Sequence, residues 1–131
     1  QAIFERLARQ DPTNAEWQRD LSVSHQRLGD VQLAQGDLAG ALASFRNSQA
    51  IFERLARQDP TNAEWQADMV TSLVRLSSAL DPGKPDDREA ARSALHKALA
   101  IAEKLVAEGR LTSHQQQGWI EELRRRLAAL D

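Results

Sequence analysis

The sequence predicts an all-α protein built from antiparallel helical hairpins, and three observations carry that expectation. Of 131 residues, 21 are Ala and 17 are Leu, against six aromatics and no Tyr, a composition that favours helix almost throughout. Residues 1–18, QAIFERLARQDPTNAEWQ, recur without a change at 49–66, which sets a period of 48 residues. Apolar residues within each period fall three and four apart, the spacing of a helical face rather than the alternation of a strand.

The elements follow in order as one domain over residues 1–131. The chain opens at Gln1 rather than Met and partway through a repeat, so residues 1–10 are expected to be half a helix of a preceding repeat in a longer array. Asp11-Pro12-Thr13 breaks that helix and Asn14 can cap the next, along which Trp17, Leu21, Ser24, Leu28 and Val31 form one face. Gly36 suits the left-handed position past a helix end, and Asp37 can cap the following helix. There Leu38, Ala41, Leu42, Phe45, Ile51, Phe52 and Leu55 make two adjoining stripes, as expected of a helix buried against more than one neighbour. This completes a first hairpin, 14–58. The second, 62–108, runs from Asn62 to about Leu80, turns through the Pro/Gly-rich stretch 81–87, and continues from about Arg88 to Glu108, where Gly109 closes it. A degenerate third copy is audible in ALAIAEKL at 98–105, which echoes SQAIFERL at 48–55, and in Trp119, which answers Trp17 and Trp65. Ser113 to Gln116 offers a capping box for a last helix over 113–130. One face of it holds Trp119, Ile120, Leu123, Leu127 and Leu130, while Glu121, Glu122, Arg124, Arg125 and Arg126 make the remainder polar, as a cap that ends a stack requires.

Several function classes are disfavoured. The formal charge of −2 gives no basic field for a polyanion, no run approaches the roughly 18 apolar residues of a membrane helix, and no leader segment opens the chain. Absence of Cys leaves the redox compartment open; the expected location is the cytoplasm, with any targeting segment of a longer parent invisible. His25, His96 and His114 do not stand at metal-binding helical spacings, and His25 occupies a position filled by Leu73 in the next copy, which reads as partly buried. Ser24 and His25 are adjacent, hence on different helix faces, and no Gly-rich phosphate cradle is present. No catalytic residue, cofactor site or metal site is expected, and the chain reads as a non-enzyme. Arg124-Arg125-Arg126 follows Glu121 and Glu122 at the favourable helical spacing, so these charges, like Glu5 with Arg9 and Glu53 with Arg57, read as solvated pairs rather than a nucleic-acid patch.

The phased residues resemble the tetratricopeptide repeat (TPR) family. Leu28-Gly29 matches its first-helix Leu-Gly pair, Ala41 follows Gly29 by twelve residues, Phe45 follows by four more, and Ser48 takes the small position three further on. In the second copy Leu76-Ser77, then Ala91, Leu95 and Ala98, keep the order. Two departures stand out: His25, Leu73 and Gln32 replace the family's first-helix aromatics, and the period exceeds the family's roughly 34 residues by two heptads. Seven residues added to each helix would preserve its buried face. Trp17 and Trp65 would then lie in added turns, packed near Phe4 and Phe52.

The resemblance implies an α-solenoid of hairpins coiled as a right-handed superhelix, acting as a protein-protein interaction module. Its concave face, carried over through the Leu28-Gly29 register, would comprise Arg19, Val23, Gln26, Asp30 and Leu33, then Ala67, Thr71, Val74 and Ser78. Gln26 and Asp30 stand where family members that grip carboxylate tails need a basic residue and an amide, so the expected ligand is a protein or peptide held by apolar contact with a few hydrogen bonds. The alternative is a regulatory or oligomerising segment of a multidomain signalling protein, self-associating through its N-terminal edge.

Overall fold

The computed structural model describes residues 14–110 and 114–131, with the side chains of 114–117 apart, so the expectations for residues 1–13, Phe4 among them, and for the Ser113 cap lie outside the described residues. Five helices follow one another: α1 (Ala15–Ala34), α2 (Leu38–Gln58), α3 (Ala63–Ser78), α4 (Pro85–Ala107) and α5 (His114–Ala129). They account for 83% of the described residues, which hold no strand. None of these helices is long and apolar enough to cross a membrane.

Local chemistry places the helix ends. Asn14 and Asn62, in identical sequence, adopt the same extended backbone and each accepts a bond from the amide three residues on, Trp17 N–H at 3.1 Å and Trp65 N–H at 3.0 Å. Such a cap contributes about 1 kcal/mol. Past α1, Gly36 takes φ +81° and lets the Asp37 amide reach back to the Gln32 carbonyl at 2.9 Å; past α4, Gly109 at φ +71° lets Arg110 do the same to Leu105 at 2.8 Å. Asp37 then caps α2 through the Gly40 amide at 2.9 Å. One boundary differs from the sequence reading: α4 begins at Pro85, not Arg88. Proline lacks only a donor that the first helical turn leaves unused, and Asp86 and Asp87 beside it complement the helix dipole.

Each helix packs on the next. Contacts between α1 and α2 step outward from the turn: Ser44 Oγ donates to Gln32 Oε1 at 2.6 Å, Gly29 lies against Phe45, and Ser22 Oγ reaches both the Ser48 carbonyl and its hydroxyl at 2.9 Å. The two helices are therefore antiparallel. A first core joins Ile51, Phe52 and Leu55 of α2, Met69, Val70 and Leu73 of α3, four residues of α4 and Leu123 of α5. A second joins Ala41 and Phe45 to Leu76 and Ala79. Full burial of an aliphatic or aromatic side chain in such a core contributes about 1.5 to 3 kcal/mol. Trp65, in the first turn of α3, is only half-buried against the first core.

The face expected for α1 needs correcting. Its buried residues are Gln18, Ser22, Gln26 and Gly29, a polar and small stripe turned to α2, whereas Leu28 is 38% and Val31 53% exposed. The same register is buried in α3, as Met69, Ser72, Leu76 and Ala79, because α2 lies across that face; nothing among the described residues covers Leu28 and Val31 in this way.

Ions connect helices that are not sequence neighbours. Arg19 of α1 meets Asp68 of α3 at 2.9 Å, Arg75 of α3 meets Asp30 of α1 at 3.2 Å, and Lys97 of α4 meets Glu53 of α2 at 3.4 Å. Arg110 donates to the Thr61 carbonyl at 2.7 Å, and Arg92 to the Leu130 carbonyl at 3.0 Å.

Candidate partner-binding groove

Helices α3 and α5 flank a groove of about 320 Å³. Val70, Thr71, Val74, Arg75 and Ser78 line it from α3 and Trp119, Glu122, Leu123 and Arg126 from α5, two adjoining stripes on each helix at spacings of three and four. Val70 and Leu123 are the buried floor, since their opposite sides enter the first core; Val74 and Trp119 are half-exposed walls.

The polar rim is satisfied from within. Thr71 Oγ1 turns back to the Ala67 carbonyl at 3.3 Å, and Ser78 Oγ donates to the Val74 carbonyl at 3.1 Å while accepting from Arg126 at 3.2 Å. Arg126 Nε bonds Glu122 at 2.9 Å, and Arg125 bonds the same carboxylate at 3.0 Å through its Nε. Those hydrogen bonds, Arg125 first and Arg126 second, hold the Glu122 carboxyl below its ordinary pKa. Arg75 is engaged by Asp30. With its rim charges paired, the groove offers chiefly apolar surface, and no histidine lines it. No group of three or more His, Asp or Glu among the described residues is placed to hold a metal ion.

Between α1 and α3 the corresponding space is bridged by charge. Asp68 bonds Arg19 at 2.9 Å, and Glu64 stands 3.6 Å from the same guanidinium. Burial nevertheless raises the Asp68 carboxyl above its ordinary pKa, with Arg19 only partly opposing, while the bond that Arg19 donates to Asp68 raises Arg19 in turn. Both shifts run upward because the carboxylate is the more buried partner and bears more of the desolvation.

Of the nine residues expected on the concave face, Thr71, Val74 and Ser78 line the groove. Arg19 and Val23 border a smaller recess of about 230 Å³ on α1, and Asp30 is exposed in its pair with Arg75. Ala67 is half-buried, Gln26 is buried, and Leu33 packs against the second core, so the structure does not bring these three to the open groove. Sequence reasoning missed the α5 wall. Trp119 had been matched to Trp17 and Trp65, and that register alone would have put α5 beside α3 as another first helix. His25 is half-buried and His96 exposed.

No family model, no curated protein and no solved structure matches the chain.

Proposed function

We propose that the chain is a protein-interaction module: a TPR-like stack of elongated hairpins that holds a partner protein or peptide in the α3/α5 groove. The observation that carries this reading is an apolar-floored groove whose bordering charges are all paired internally, so that a ligand gains mainly from burying its own apolar side chains. The repeat supports it too, because hairpins that contact only their neighbours build extended surfaces. A volume of about 320 Å³ suits one or two large side chains of an extended or helical peptide.

Selection from a displayed random peptide library tests the reading. Selected peptides should lose at least tenfold in affinity, about 1.4 kcal/mol, on Thr71→Arg and on Val74→Glu, with the helical circular dichroism unchanged. Peptides that bind both variants as tightly as the parent would place the site elsewhere.

A further inference from the structure

The exposed apolar stripe of α1 has a counterpart whose cover is visible. Across the 48-residue period Leu28 corresponds to Leu76 and Val31 to Ala79. Leu28 and Val31 are 38% and 53% exposed, whereas Leu76 and Ala79 are 9% and 5% exposed. Their cover is the first half of α2, through Ala41 and Phe45, with Leu42 packed alongside. Further along the same face, half-buried Leu21 and His25 correspond to Met69 and Leu73, which are fully buried beside Ile51, Phe52 and Leu55 in the second half of α2.

The sequence carries a second copy of only one of these two covering halves. Residues 49–58 of α2 recur as residues 1–10, but the stretch 38–48, LAGALASFRNS, with its Ala41 and Phe45, occurs once. We propose that the Leu28/Val31 face is a docking surface for a helix with the chemistry of residues 38–48, whose Ala41 and Phe45 cover the equivalent Leu76 and Ala79. The exposed stripe is then one side of a repeat-to-repeat joint identical in kind to the α2/α3 joint. A second copy of the chain is a poorer occupant, because its own Ala41 and Phe45 are already buried against Leu76 and Ala79. The inference shares the stacked-hairpin reading above but is independent of the α3/α5 groove.

The test fuses LAGALASFRNS ahead of Gln1 of the full chain. The extended chain should melt at least about 5 °C higher than the parent. Leu28→Asp with Val31→Asp should abolish that gain while leaving the parent's own melting temperature within about 2 °C, as substitutions at exposed sites do. Replacing the Phe of the added segment by Asp should abolish it equally. No gain from the fusion, or a gain that survives Leu28→Asp with Val31→Asp, overturns the proposal. So does sedimentation showing the parent to be a dimer that this double substitution dissociates, since the occupant would then be a second copy. Peptide affinity at the groove, read on the same chains, separates this outcome from failure of the binding reading.

Discussion

Gly29 lies so close beneath Phe45 that a Cβ on it would stand 2.4 Å from the ring carbon Cε1. This contact fixes how near α1 comes to α2, and the second hairpin solves it differently. There Ser77 replaces Gly29 and Leu95 replaces Phe45, a larger residue on one helix set against a thinner one on the other.

Gly29→Ala should therefore destabilise the chain by about 1 to 2 kcal/mol, because the steric penalty of overpacking exceeds the roughly 1 kcal/mol gained in helix propensity. With Phe45→Leu added, a double-mutant cycle in urea should show a favourable coupling of at least about 1 kcal/mol. Strict additivity would mean that the two residues do not limit each other.

Buried serines at the helix interfaces separate satisfied from unsatisfied burial. Ser22 and Ser48 bond each other, whereas the buried Ser72 hydroxyl has no partner. Ser22→Ala should lose about 1 kcal/mol and Ser72→Ala should gain a similar amount. Val70 and Ala98, which occupy the Ser22 and Ser48 positions of the second hairpin, lead us to expect Ser22→Val with Ser48→Ala to be close to neutral. Urea unfolding of the three variants checks the order.

The sequence places Trp65 in the first turns of its helix, packed near Phe52. It is half-buried, so Trp65→Ala should cost about 2 kcal/mol, and Phe52→Ala, at 1% exposure, about 3 to 5 kcal/mol. Equal losses would contradict the difference in burial.

Asp68 sets a pH signature. Its folded pKa is raised above the ordinary value of 3.8, so the folded state holds the proton more tightly than the unfolded chain does. Its stabilising contribution is fully present below that ordinary value and is lost as pH rises through the folded one. Asp68→Asn, which keeps an acceptor for Arg19, should at pH 7 equal or exceed the parent by up to about 1 kcal/mol, and the advantage should shrink at pH 4. A loss above about 1 kcal/mol at pH 7 would mean that the Arg19 pair outweighs burial.

Helix α5 packs Leu123 into the first core, and Arg92 holds its end through the Leu130 carbonyl. Removing residues 115–131 should open the flank of α4 and bring aggregation or a broadened melt. A truncated chain that melts as sharply as the parent would deny α5 that role.

What the sequence disclosed follows the range of the interactions. The Asn14 and Asn62 caps, the left-handed Gly36 and Gly109 and the Asp37 cap depend on neighbours within a few residues, and all are where the spacing put them. The start of α4 was misplaced because Pro85 serves equally well in a turn or at a first helical position. The apolar stripe of α1 was legible as a pattern, but whether it is covered depends on which helix lies across it. The groove's second wall was illegible for a similar reason: Ser78 meets Arg126 across 48 residues, a pairing set by packing rather than by either local sequence.

The contrast between the hairpin interfaces also sets where the molecule opens first. α1 rests on α2 through Gln18, Ser22, Gln26 and Gly29, while α3 is held from two sides by large apolar residues. Amide hydrogens of α1 should therefore exchange with solvent faster than those of central α3. A helix that seats on the uncovered stripe should then be felt as slowed exchange throughout α1.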